Sequence, residues 1–440
     1  MHTPELAWWS ALPFAGLLAS IAIVPLAAPR FWEPNRSKAL VAALFSAPAA
    51  ATLIGVLGAA GARELAHKLL EYVSFLSLLG ALFVITGGVY VRGSLAGTPL
   101  MNTGVLALGA VLASWIGTTG ASVLLIRPLL RANAQRKRKV HVVVFFIFIV
   151  SNCGGLLTPL GDPPLFLGFL KGVPFGWTLG LWKEWLLVSG ALLAIFHVWD
   201  QVVLGREEAE RSDPLLAELI EHEPLRIEGA HNLAFLLGVV AVIYAAGAGV
   251  GSGGAPWPFG VQEGAMVALA AVSYASTPAR LHDANRFSFG PIVEVAVLFA
   301  GIFATMAPAL LLLNVNAARL GIAEPWHFFW ASGSLSSFLD NAPTYLTFAA
   351  TASGLERIPP EGRYLAEYLA RGPHAAAILA AISTGSVFMG ANSYIGNGPN
   401  FMVKAIAEEA GVRMPSFFGY MAYSGGILIP LFVLVTFVLF

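Results

Sequence analysis

The feature that most constrains this 440-residue chain is a succession of apolar stretches, each near the roughly 20 residues that an α-helix needs to cross the hydrocarbon layer of a bilayer. Ten such stretches lie at about 6–29, 38–60, 70–91, 140–170, 176–198, 231–250, 262–276, 291–314, 374–410 and 415–440. Two more, at about 99–130 and 325–353, are split near the middle by small polar residues. Gly117, Thr118, Thr119 and Gly120 interrupt the first, and Asp340, Asn341, Ala342, Pro343 and Thr344 the second. Each half of these two is too short to span, so both read as re-entrant hairpins that dip into the bilayer and return to the same side. The expected fold is therefore an all-α polytopic membrane protein.

Composition supports this: 57% of residues are hydrophobic and 11% charged, against about a quarter charged in soluble domains. The 25 basic and 25 acidic side chains cancel, which leaves no basic face for phosphates and excludes nucleic acid as a partner. A single cysteine, Cys153, excludes a disulfide framework and a Cys-rich metal site. Met1 to Leu6 carries no Lys or Arg, and the apolar stretch to Pro29 is too long for a signal h-region, so the first stretch is expected to remain as a span. With 46 Gly and 27 Pro, broken helices are expected, and in a bilayer irregular backbone survives only where protein or a water-filled cavity covers it. No Walker-type loop, Gly-x-Ser-x-Gly or His-Glu-x-x-His motif occurs, which speaks against an ATP-driven pump, an intramembrane protease and enzymes generally.

Lys and Arg in short loops set orientation. With the N-terminus outside, seventeen basic residues fall inside and eight outside (Arg63, Lys68, Lys171, Lys183, Arg319, Arg357, Arg363 and Arg371). The inside run Arg136-Lys137-Arg138-Lys139, beside the first hairpin, reads as a topogenic signal. His141, His282 and His374 sit near span ends, where satisfied interfacial histidine is the simpler reading.

The chain divides into two copies of one plan. Residues 1–200 form a first repeat with the hairpin 99–130 and a broken helix 140–170. Residues 201–230, with Arg206, Glu207, Glu208, Glu210, Arg211, Glu218, Glu221 and Glu223, read as a cytoplasmic linker, and 231–440 as a second repeat with the hairpin 325–353 and a broken helix 374–410. Ser114-Trp115-Ile116 leads into the first hairpin tip and Ser337-Phe338-Leu339, 223 positions on, into the second. The breaks also match: Ser151-Asn152-Cys153 followed by Gly161-Asp162-Pro163-Pro164, against Ala391-Asn392-Ser393 followed by Gly396-Asn397-Gly398-Pro399-Asn400. Each copy crosses five times, an odd number, so the second is upside down relative to the first. Inverted repeats with interrupted helices at the midplane mark secondary transporters.

Two carboxylates stand out. Asp162 lies between Thr158-Pro159-Leu160-Gly161 and Pro163-Pro164, where the helical ladder must break and loose carbonyls gather; this suits a small hard cation, and equally a cap for the restarting helix. Asp340 stands beside Asn341 and Thr344 at the second tip, again as a possible ion ligand or a cap. Buried near each other, two carboxylates oppose each other's ionisation, which is how a site comes to exchange H⁺ for Na⁺. Thr118, Thr119 and Ser122 offer hydroxyls; Asn392, Ser393, Asn397 and Asn400 offer amides and a hydroxyl, or simply stabilise kinked backbone. Glu294, three residues after Pro291, reads either as a first-turn acid or as a transport residue.

These residues resemble those of the ion transporter superfamily, and within it the citrate-transporter-like group and sodium/proton antiporters of the NhaD type. Ser151-Asn-Cys-Gly-Gly-Leu-Leu-Thr-Pro-Leu-Gly-Asp-Pro-Pro164 is similar to the stretch those antiporters share with arsenite efflux permeases and pink-eyed-dilution proteins. Asp340-Asn-Ala-Pro-Thr344 is similar to their second hairpin tip, and Gly390-Ala-Asn-Ser-Tyr-Ile-Gly-Asn-Gly-Pro-Asn400 to their second break; the resemblance covers roughly 35–440. It implies a homodimer in a bacterial cytoplasmic membrane, each subunit a scaffold with a mobile transport domain that moves like an elevator under Na⁺ or H⁺ gradients. The dicarboxylate branch carries Ser-Asn-Thr at its tips, and this chain does not.

The leading expectation is a sodium/proton antiporter with a small inorganic cation as substrate and no cofactor. Asp162 and Asp340 would titrate, and Ser151, Asn152, Thr158, Asn341, Thr344, Asn392 and Asn397 would surround them, with Na⁺ on Asp162, Asn152, Asn341 and Asn392. The alternative is a cation-coupled symporter of citrate or another organic anion; a passive channel or receptor is a third reading.

Overall fold

The computed structural model describes residues 6–93, 96–210, 226–253, 255 and 257–440. Eight helices in it are long and apolar enough to cross a membrane: Trp8–Pro25, Asn35–Leu57, Ala59–Gly87, Pro99–Ile116, Phe175–Ala209, Gly290–Val315, Pro373–Asn392 and Phe417–Leu439. The protein is an all-α, multi-pass membrane protein; among the described residues its only sheet is a two-stranded pairing of Tyr90–Arg92 with Arg226–Glu228.

The first half runs through α1 (Leu12–Ala27), α2 (Asn35–Leu57) and α3 (Ala59–Gly87), a hairpin of α4 (Pro99–Ile116) and α5 (Thr118–Ala132), a broken helix of α6 (Val140–Ile149) and α7 (Pro163–Leu170), and α8 (Trp182–Ala209). The second half has the same order: α9 (Asn232–Ala248), α10 (Val261–Ser276) and α11 (Gly290–Val315), a hairpin of α12 (Pro325–Ser336) and α13 (Asn341–Leu355), a broken helix of α14 (Pro373–Met389) and α15 (Gly398–Glu409), and α16 (Phe417–Leu439). Contacts recur with the halves exchanged. α2 packs on α11 and α10 on α3; α5 packs on α15 and α13 on α7. α6 is apolar apart from His141, and nine of its ten residues, His141 among them, are buried. A helix with no polar face belongs inside a bundle, which is where its β-branched and aromatic side chains override their strand preference.

Several boundaries differ from the sequence reading. α4 has 18 residues and is long enough to cross by itself, because its apolar run is unbroken until Gly117. There φ is +80°, a conformation that favours glycine, and the chain turns back. Reciprocal amide bonds between Asn102 and Asn133, 3.0 and 2.8 Å, close the base of this hairpin. α9, with 17 residues, is shorter than the expected 231–250, while α10, with 16, matches its expected stretch; each is about 25 Å long at 1.5 Å per residue. Left-handed Gly249 ends the one and left-handed Gly260 precedes the other. α8 continues through Arg206, Glu207 and Glu208 into the stretch read as a linker, while Arg211, Glu218, Glu221 and Glu223 lie outside the described residues.

Basic residues expected on one side share acidic partners. Arg92 and Arg280 share Glu228 at 3.4 and 3.3 Å, and Arg127 and Arg286 share Glu409. Those expected on the other side meet elsewhere: Lys68 pairs with Glu64 and Glu71 at 3.4 Å, Lys171 with Glu71, and the Leu365 N–H with the Lys171 carbonyl. Arg136 has a structural partner set beyond the topogenic reading of its run. Unlike exposed Lys137 and Arg138, its guanidinium is wholly buried against Asp200 and Glu207. Asp200 also accepts from Asn102 and meets His141 Nε2 at 2.8 Å, so this cluster ties the hairpin base to α8. His282 is not hydrogen-bonded as expected; its ring packs on Tyr274 and Phe287, and neither nitrogen has a partner.

Candidate functional site

Both breaks are built the same way. After α6 the chain leaves the helix and restarts at Pro163-Pro164; after α14 it restarts at Gly398-Pro399. Proline fits the first helical turn because its missing N–H has no partner there in any case. The residues before each restart, Asp162 and Asn397, are both extended (φ −144°, ψ 145° and φ −152°, ψ 141°), and neither side chain caps its own helix. The Thr158 hydroxyl donates to the Ser114 carbonyl and accepts from the Leu160 N–H; the Ser393 hydroxyl donates to the Ser337 carbonyl (2.5 Å) and accepts from the Ile395 N–H. A Cβ on Gly161 would lie 2.1 Å from the Gly155 carbonyl oxygen, and one on Gly396 would lie 2.5 Å from that of Gly390.

This equivalence pairs Thr158 with Ser393 and Asp162 with Asn397, each 235 positions apart. It revises the motif match of Asn152 with Asn392, which are 240 apart. Look-alike residues misled that match; the bonds to Ser114 and Ser337 correct it. Those two serines were noted in the sequence only as leading into the tips, yet both anchor a break, and their identical placement was the available signal.

Asp162 is the centre, with 1% of its surface exposed. Thr118 Oγ1 donates to Oδ1 at 2.9 Å, Asn397 Nδ2 to the same oxygen at 3.1 Å, and Asn341 Nδ2 to Oδ2. Residues from both hairpin tips and both breaks thus converge on one carboxylate. The cap reading of Asp162 fails, since the carboxylate makes no cap bond. Asn152 Nδ2 donates to Asn400 Oδ1 (2.7 Å), Asn400 Nδ2 to the carbonyls of Gly390 and Ser393 (2.9 Å each), and the hydroxyls of Ser122 and Ser151 meet at 2.9 Å. Asn341 Oδ1 and Asn392 Oδ1 are buried without a partner.

Other predicted site residues make no hydrogen bond to Asp162. Asp340, half-buried, accepts from the Ala342 N–H at 3.0 Å and so serves as the cap of α13, and the Thr344 hydroxyl donates back to the Asp340 carbonyl. Asn392 reaches Ser337 Oγ at 2.9 Å rather than Asp162. Glu294 pairs with Lys38 at 2.8 Å on α11, 43% exposed. Among the described residues, no three His, Cys, Asp or Glu side chains gather as a metal cluster. A cation here would be held by one carboxylate and neutral oxygens.

Beside Asp162 lies a cavity of about 90 Å³ between the first hairpin tip, the first break and helices α3 and α11, lined among others by Leu82, Thr118, Thr119, Pro159 and Ile292. Its walls are mainly apolar, and Asp162 is the one ionisable group among the residues that line it.

An all-helical membrane protein whose interrupted helices meet around a buried polar centre has the architecture of a secondary transporter. Over residues 3–440 the chain matches the family described as "Putative citrate transport", and it belongs to that family. No curated protein matches it.

Proposed function

We propose that Asp162 couples transport to a cation gradient by holding Na⁺ and H⁺ in alternation, which makes the chain a sodium/proton antiporter. One observation carries this reading: the carboxylate is buried, and every partner it has is neutral. An uncompensated charge in such a place costs several kcal/mol, and a proton or a cation removes that cost. The two exclude each other on one carboxylate, which is the requirement for obligatory exchange. The unpaired Asn341 Oδ1 supplies a further cation ligand, because its own amide nitrogen already touches Asp162.

For the movement, we propose that α2, α3, α10 and α11 form a scaffold against which the hairpins and broken helices move as an elevator, in a homodimer in a cytoplasmic membrane. The reciprocal packing within each of these two groups supports that division.

A second reading has its own support. The family description names citrate, and α7 and α15 both begin beside Asp162, where the positive ends of the helix dipoles favour an anion. In that reading Asp162 carries the coupling cation, and the organic anion meets the helix starts. Proteoliposomes separate the two. Na⁺-driven proton movement in the absence of citrate supports antiport, whereas citrate uptake that needs Na⁺ or H⁺, with no exchange in its absence, overturns it.

A further inference from the structure

Asp162 and Asn397 occupy equivalent positions in the two halves, with matching backbone and no cap bond, and they touch: Asn397 Nδ2 lies 3.1 Å from Asp162 Oδ1. The same nitrogen lies 3.1 Å from the Ser151 carbonyl oxygen and 3.3 Å from Asn152 Oδ1. Three oxygens from the first half therefore converge on a single NH₂ group, which stands where a cation would otherwise hold them together.

We propose that Asn397 sets the charge of this site at minus one and thereby selects a monovalent over a divalent cation. The inference rests on the reading of Asp162 as the cation ligand. With an amide at 397, the two equivalent positions offer one carboxylate between them, too little charge to strip the hydration from Mg²⁺ or Ca²⁺. With carboxylates at both, the facing oxygens repel and lose their shared donor, and only added positive charge reconciles them. Several carboxylate and carbonyl oxygens together are the ligand set of Ca²⁺, whose affinity rises with the number of charged ligands. The near-symmetry adds a corollary: exchanged across their 3.1 Å contact, a carboxylate at 397 faces the Ser151 carbonyl and Asn152 Oδ1, an all-oxygen set that a bound cation reconciles.

The test uses purified full-length protein and thermal unfolding in NaCl or CaCl₂ titrations with choline chloride as the control. The set is wild type, Asp162→Asn, Asn397→Asp, Asn397→Ala and the exchange Asp162→Asn/Asn397→Asp. Wild type and Asn397→Ala should respond to Na⁺ and not to Ca²⁺, with Na⁺ affinity at most about tenfold weaker in the alanine variant. Asn397→Asp should gain Ca²⁺ binding by about a hundredfold or more, and the exchange should regain the Na⁺ response that Asp162→Asn loses. An Asn397→Asp protein with wild-type ion preference overturns the proposal, as does an exchange variant that folds yet stays silent towards Na⁺. Should Asn397→Asp fail to fold, the exchange variant, whose charge is that of wild type, decides. A Na⁺ response that survives in Asp162→Asn would instead overturn the reading of Asp162 itself.

Discussion

Replacing Asp162 with asparagine removes the proposed ion ligand while leaving the surrounding bonds a way to persist. Asparagine keeps one oxygen for Thr118 and Asn397. Its new NH₂ group replaces Oδ2 and faces the Asn341 amide nitrogen, donor against donor. Turning the Asn341 amide over presents its unpartnered Oδ1 instead and restores a bond. The stability of the variant without Na⁺ should therefore lie within about 1 kcal/mol of wild type. The difference appears on adding salt. An ion that binds only the folded state stabilises it by about 2.7 kcal/mol at a hundred times its dissociation constant, so wild type should gain roughly that much and Asp162→Asn nothing. The assay is thermal unfolding of the detergent-solubilised protein with NaCl against choline chloride, together with Na⁺-driven proton movement in proteoliposomes. A folded Asp162→Asn protein that keeps the Na⁺ increment, or that still exchanges ions, would refute the reasoning.

Na⁺ binding should weaken as pH falls, by about tenfold per pH unit wherever the proton holds the site, since one ion displaces one proton; pH-independent Na⁺ affinity would contradict exchange at one carboxylate. Gly161→Ala should cost at least about 3 kcal/mol, because its Cβ would meet the Gly155 carbonyl oxygen at 2.1 Å, while Gly398→Ala, with nothing within 4 Å, should be tolerated; yield and thermal unfolding report both. Arg136→Met should destabilise by about 3–5 kcal/mol by leaving Asp200 and Glu207 buried without their cation, and Lys137→Ala, exposed, by less than about 0.5 kcal/mol in the same assay. Glu294→Gln should leave ion exchange at the wild-type rate, because Glu294 pairs with Lys38 and is not among the residues that line the cavity beside Asp162.

What could be read in the sequence was the part written in local rules. Apolar run length revealed the membrane class, glycine and proline marked both breaks, and small polar residues marked both hairpin tips. Gly117 shows how far this goes: it placed the first tip correctly, although the half before it, held too short to span, forms an 18-residue helix long enough to cross. Asp162, Thr118, Asn341 and Asn397 were all singled out by residue type, and the structure joins them at one carboxylate. What local rules could not supply was direction. Asp162 and Asp340 look alike beside a helix start, yet one turns away from its helix and the other caps it. Likewise, nothing in Arg136-Lys137-Arg138 distinguishes Arg136, buried against Asp200 and Glu207, from Arg138, whose pair with Glu210 is exposed.

The same limit explains why the near-symmetry matters for function. A perfectly repeated chain would carry the same group before both restarting helices, and the contact between them would be either two carboxylates or two amides. The first would demand two compensating charges in mid-bilayer, and the second would bind an ion only weakly. One carboxylate facing one amide is the arrangement in which the charge of a single bound proton or Na⁺ brings the centre to neutrality. A centre that is neutral when loaded with either ion can cross the bilayer at low electrostatic cost in both directions, and the bare carboxylate cannot. On the proposed reading, coupling would follow from the substitution of amide for acid in one of two equivalent places, which is why exchanging Asp162 and Asn397 is a stricter test of the site than removing either.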